Sequence, residues 1–215
     1  MTIPPPPPWR EAARAAMYEA TQGELLTRYG TTEVSFNYRW EHVMAVVALA
    51  LRLAELTGAD AETVEAAAWL HDVCKRTDGN RHPIAGAAFA RDFLPTTDFP
   101  PEKVEAVAEA IADHMGLWRD EPLTVPESQV LWDADKLAKI GLTAVFHWMG
   151  GRLAGSEMRT LADLIARGRK VDWQAKTVAS MHTAPARRAA AARLVAYRDL
   201  YDALERELVG DDLLP

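Results

Sequence analysis

The sequence predicts an all-α protein, and three observations carry that prediction. Apolar residues recur every three to four positions through most of the 215-residue chain, as in Val43, Val46, Val47, Ala50 and Leu51. No stretch alternates apolar and polar residues with the period of two that a half-buried strand requires. Residues that start and stop helices, such as Asp60 before Val64 and Gly30 after Tyr29, bracket the periodic segments.

Pro4 to Pro8 cannot be helical and are expected to form a polyproline arm, so residues 1–8 are set apart from a single helical domain over 9–215. Ala12, Ala16, Met17, Ala20 and Leu25 predict a first helix from Trp9 to about Tyr29, closed by Gly30. A second is expected from Asn37 to Leu56, stopped by Gly58. Asp60 caps a third that runs to about Cys74 on the inner stripe Val64, Ala67, Ala68 and Leu70. Arg76 to Arg81 is polar and reads as a loop. His82-Pro83 places proline in the first turn of a helix to Phe93. Pro101 opens the next, to about His114, and the segment 116–126 is irregular. Further helices are expected from Glu127 to Phe146 and from Ser156 to Arg167. The last runs from Thr183, with Pro185 in its first turn, to about Val209.

Charge and composition restrict the function classes. The apolar content of 49% is ordinary for a globular chain, and a net charge of −7 is unsuited to displacing counterions from a nucleic-acid duplex. The pI near 5.4 suits the cytoplasm, where Cys74, the single cysteine, stays reduced. No bilayer-spanning apolar run and no secretory leader are expected, because charges interrupt every candidate stretch. A small phosphorylated ligand remains compatible with this balance, since it needs only a few local cations, and so does a homo-oligomer.

The chemistry-bearing residues are histidines and carboxylates. His71-Asp72 offers an imidazole and a carboxylate from adjacent helical positions, about 100° apart, which are ligand types of a divalent cation. Asp133 and Asp135, two apart, face different ways on a helix, so only one of them is expected to turn toward a site.

His42, His71-Asp72 and Asp135 within Ala-Asp-Lys-Leu resemble the H…HD…D pattern of the HD superfamily of metal-dependent phosphohydrolases. Leu70 to Lys75 resembles that family's L-H-D-I-G/A-K variants, His82 to Ala87 its H-P-x-x-G-A element, and Ile111 to His114 its I-x-x-H element. Together these span 37–141, with C-terminal helices following over 156–209. Thr183 to Arg187, with Arg193 downstream, is similar to the closing helix of small stand-alone bacterial members.

The resemblance implies an HD-type helical bundle in which His42, His71, Asp72 and Asp135 hold one divalent metal (Mn, Fe, Co, Ni, Zn or Mg). It implies hydrolysis of a nucleotide or another small phosphate ester or anhydride by metal-activated water. Asp72, His82, His114 and Lys75 are the expected catalytic groups, and Lys75, Arg76, Arg81 and Trp118 the expected substrate contacts. A single metal is favoured; a second would fall to His82 and His114 with Asp72 bridging. Trp132 is a further candidate for the pocket wall, whereas Trp40, Trp69, His147 and His182 read as structural.

Departures narrow the match. Lys75-Arg76 stands where guanosine-tetraphosphate hydrolases carry Glu-Asp, and Met115 to Trp118 replaces the continuation typical of cyclic-di-nucleotide phosphodiesterases. Nucleotide pyrophosphohydrolases and symmetrical diadenosine-tetraphosphate hydrolases remain equally similar. A non-catalytic regulatory HD protein that binds metal or nucleotide, and a di-iron HD oxygenase, are the competing readings.

Overall fold

A computed structural model describes residues 5–153 and 160–213, with the side chain of Leu153 left out. Every regular element among the described residues is helical: α1 (Trp9–Tyr29), α2 (Tyr38–Thr57), α3 (Ala61–Leu70), α4 (Lys75–Asp78), α5 (His82–Phe93), α6 (Val104–Asp113), α7 (Pro126–Leu137), α8 (Leu142–Leu153), α9 (Leu161–Arg169), α10 (Trp173–Ala179) and α11 (Ala184–Val209), with short 3₁₀ turns between some of them. No helix among them is long and apolar enough to cross a membrane.

The caps explain the boundaries. Asn37, Asp60 and Thr183 each accept a hydrogen bond from a backbone N–H in the first turn of α2, α3 and α11, satisfying donors that a helix start leaves unpaired. Pro5 to Pro8 carry no regular structure and are exposed, while Pro4 lies outside the described residues. The arm is tied down where Pro7 O accepts from Asp98 N at 3.0 Å and Asp98 Oδ1 accepts from Trp9 N at 2.6 Å.

Three boundaries differ from the expectation, and a fourth falls outside the described residues. The third helix ends at Leu70, and Val73 N to Leu70 O and Lys75 N to Asp72 O are tighter i→i+3 bonds that turn the chain at His71-Asp72. The polar stretch after it is ordered into α4 and the turn Gly79–Arg81. The predicted helix 127–146 is two helices, α7 and α8, because Gly141 adopts φ 90° and a Cβ there would sit 2.8 Å from Arg193 Cβ. The start expected at Ser156 lies outside the described residues; α9 begins after Thr160, whose side chain forms a capping box with Asp163. The short α10 is an addition that the sequence reading did not contain.

The main core joins α1, α2, α3, α5, α6 and α7 with the start of α11. Ala66, Ala67 and Ala68 of α3 are completely buried, and such small side chains let α2, α6 and α7 approach α3 closely. A second, smaller cluster joins Val145, Ile165, Tyr197 and Tyr201 from α8, α9 and α11.

Candidate metal centre

Where the helices of the main core meet, ionisable side chains replace apolar ones. His42 projects from α2, His71 and Asp72 lie at the turn after α3, His82 opens α5, His114 ends α6, and Asp135 comes from α7. All six are buried. Such burial is costly without partners, so the question is what satisfies each group.

Three histidines share one answer. His71 Nδ1 meets Ala68 O at 2.8 Å, His82 Nδ1 meets Gly79 O at 2.6 Å, and His114 Nδ1 meets Ile111 O at 2.6 Å. A carbonyl only accepts, so each Nδ1 carries the proton and each Nε2 is left with a lone pair. Those lone pairs converge. His82 Nε2 lies 3.0 Å from His114 Nε2, and Asp72 Oδ1 lies 3.1 Å and 3.8 Å from the two. Three acceptors facing one another repel unless a cation or a proton sits among them.

The other side of Asp72 repeats the pattern. His71 Nε2 is 3.8 Å from Asp72 Oδ2, and neither this nitrogen nor either ring nitrogen of His42 makes a hydrogen bond, although all are buried. His42, His71 and Asp72 offer ligand atoms all within 4.8 Å of one another, and so do Asp72, His82 and His114. Both groups fit a divalent metal by donor type; the first adds the orphaned nitrogens of His42 and His71, and the second the tautomers of His82 and His114 pinned from behind. Asp72 belongs to both groups.

Asp135 reaches the cluster from α7. Its Oδ1 lies 3.0 Å from His42 Nε2, without hydrogen-bond geometry, and its two oxygens receive the ammonium groups of Lys136 and Lys139. It touches the cluster through His42 and stands outside both three-residue groups. Asp133, two residues earlier, turns away and accepts from the backbone N–H groups of His182 and Thr183 at 2.9 and 2.8 Å.

Electrostatics follow from this burial. Removal from water pushes His42 down to about 4 and His71 to about 3, so both rings are neutral at pH 7. Burial alone would raise Asp72, but the positive charge of the Arg39 guanidinium against its Oδ2 helps hold it well below the usual carboxylate range. Burial also pushes Lys136 down to about 8; its Nζ donates to His114 O at 2.8 Å.

Several residues beyond the motif complete the site. Arg39, one turn before His42 on the same face of α2, binds Asp72 Oδ2 through one arm and Glu24 Oε2 at 3.0 Å through Nε. That spacing was a signal in the sequence, but an arginine one turn from a histidine is too common to stand out. Lys139 is a second such residue, and His147 a third: its ring stacks on Tyr38 at 4.2 Å and lies 5.9 Å from His42.

The expected substrate contacts divide. Lys75 is half-buried with Nζ 3.2 Å from His82 Nε2, at the edge of the cluster. Arg76 is exposed and its guanidinium lies along α1, where a Cβ on Gly23 would sit 3.1 Å from Arg76 Nε. Arg81 is exposed, and Trp118 is an exposed ring with Lys176 Nζ 5.0 Å above it. Trp132 is completely buried, with Nε1 donating to Met115 O at 3.4 Å. It is a core residue rather than the pocket wall expected, because α7 directs it between helices.

Residues 39–140 match the family model described as HD domain. Over nearly the whole chain the fold is similar to known crystal structures. A predicted HD superfamily hydrolase from an uncultured Thermotogales bacterium shares 22% identity at TM-score 0.61, covering 94% of this chain and 93% of that one. Bacillus subtilis YpgQ in complex with ADP shares 21% identity at TM-score 0.63, covering 92% and 97%. An HD-superfamily hydrolase from Bacillus thuringiensis shares 20% at TM-score 0.62, covering 93% and 98%. The matched segment carries the motifs from His42 to Asp135, and the helical fold of the whole chain is similar to that of these structures.

Proposed function

We propose that this protein is a metal-dependent phosphohydrolase acting on a nucleotide or another small phosphate ester or anhydride. One observation carries the reading: the Nε2 lone pairs of His82 and His114 face each other at 3.0 Å beside Asp72, with their protons held by backbone carbonyls behind them. His42, His71 and Asp72 would hold one cation and Asp72, His82 and His114 a second, with Asp135 in contact with His42 Nε2. A divalent metal supplies charge neutralisation at phosphoryl oxygens and a water of lowered pKa.

The chain's own groups do the rest. Arg39 fixes the Asp72 carboxylate, so that one oxygen faces each group of histidines. Lys75, half-buried beside His82, presents a cation to a phosphate oxygen, and Lys139 presents another from the opposite side of the cluster. Arg81 and Trp118 stand further out as contacts for the remainder of the substrate. The binding of ADP to Bacillus subtilis YpgQ, which has a similar fold, supports a nucleotide as the ligand class.

Purified protein assayed with Mn, Co, Ni, Fe, Zn or Mg against nucleotides and simple phosphoesters should release phosphate or pyrophosphate. Asp72→Ala should lower that rate by more than about a thousandfold. Stoichiometric metal binding with no turnover in any combination would overturn the proposal in favour of a regulatory role. Oxygen consumption by the iron-loaded protein, without phosphate release, would favour the oxygenase reading instead.

A further inference from the structure

A cleft of about 500 Å³ opens beside the metal-binding cluster, a size that suits a small organic ligand. Most of its wall comes from α8 to α11, beyond the segment that matches the HD model. It is continuous with the cluster through two shared groups. His147 lines it and stacks toward His42, and Lys139 lines it while its ammonium holds Asp135.

The far wall is aromatic: Trp148 and Trp173, both half-buried, face the cleft with Tyr197. Tyr197 already donates its hydroxyl to Gly168 O at 2.8 Å, so it offers a ring face rather than a polar handle. The polar handle is Gln174. Its side chain lines the cleft and is 2% exposed, yet its amide oxygen Oε1 has no hydrogen-bond partner. A buried amide oxygen is ordinarily paired, and a cleft wall is where a ligand can supply the missing donor.

We infer that this cleft is the base-recognition subsite for a nucleotide whose phosphates lie at the cluster: the ring stacks among Trp148, Trp173 and Tyr197, and Gln174 Oε1 accepts from an exocyclic amino group. Flat rings stack on aromatic side chains whatever their substituents, so the amide is the part that reads the base. Lys139, between the two compartments, faces the phosphate nearest the sugar. The inference rests on the phosphohydrolase reading and specifies its substrate as a nucleotide with an aminated base.

Binding is measured without turnover, by titrating adenosine monophosphate and the monophosphate of purine riboside, which lacks only the amino group, into the full chain. Tryptophan fluorescence and calorimetry report the affinity. The wild type should prefer adenosine monophosphate by about tenfold, the effect of one hydrogen bond to a buried group. Gln174→Leu, its folding checked by circular dichroism, should bind both ligands equally and weakly. Equal affinities in the wild type would overturn the inference, whether or not the variant folds, and so would a preference that survives in Gln174→Leu. Hydrolysis without base preference removes the subsite and leaves the phosphohydrolase reading; base preference without hydrolysis does the reverse.

Discussion

The helices α2 to α7 and the helices α8 to α11 bury their side chains in contrasting ways. The first set closes a large core in which Val43, Val46, Val64, Ala66, Ile111 and Leu131 are fully shielded, and then spends that shielding on six buried ionisable groups. The second set contributes to that core mainly through Met181, Ala186 and Ala190, and gathers only Val145, Ile165, Tyr197 and Tyr201 into a cluster of its own. Clefts of about 500 and 310 Å³ lie against it. The difference teaches that a charged centre needs dense surroundings to hold its imidazoles against repulsion. A recognition surface needs space, and its contacts can be set by a few aromatic side chains.

If the two regions are separable in this way, substitutions in one should spare the other. The largest effect is expected for His71→Ala. It should lower divalent metal affinity by more than about a hundredfold while the preference for an aminated base is kept, and calorimetry with Mn reads the first part. Unchanged metal binding would show that the buried cluster is not a metal centre. Gly168→Leu tests the opposite direction. A Cβ there would lie 2.1 Å from the Tyr201 ring, so the cleft wall must move, at a cost of about 3 kcal/mol in denaturant unfolding. Metal stoichiometry should stay at the wild-type value; its loss would mean that the two regions are coupled.

Asp133→Ala should cost about 2 kcal/mol, because it strands the backbone N–H groups of His182 and Thr183 at the start of α11, with little change in metal affinity. Asp135→Ala, on the same helix, should instead weaken metal binding, so the pair separates a capping carboxylate from one that touches the cluster.

The smallest effect is a pH slope. Between about pH 6.5 and 4 the unfolded chain protonates the imidazoles of residues 42 and 71 while the folded one does not. The unfolded state thus binds more protons, and stability rises with pH across that window. Asp72 and Asp135, held low in the fold, extend the same sign to lower pH. Metal-free protein should therefore melt a few degrees lower at pH 5 than at pH 7, and His42→Gln should flatten that slope. A melting temperature that does not change over this range would contradict neutral buried rings.

Much of this was legible along the chain. Asn37, Asp60 and Thr183 cap helices at the positions their residue types suggest, and Gly30 and Gly58 close them, because capping is satisfied within a few residues. The break at Gly141 was not legible, since a glycine inside an apolar period is tolerated in helices; its reason is Arg193, far along the chain on α11. Trp132 was misread because a flanking position on a helix does not say which neighbour the ring meets.

The order His42, His71-Asp72, His82, His114 and Asp135, and the helices that carry them, follow from the sequence alone, because period, caps and motif are local properties. Tertiary structure alone decided that Asp72 stands between two pairs of imidazoles, that Arg39 and Lys139 join the cluster, and that Gln174 faces a cleft. Those outcomes depend on how closely helices distant along the chain approach, which is set by side-chain volume at their contacts and leaves no periodic trace.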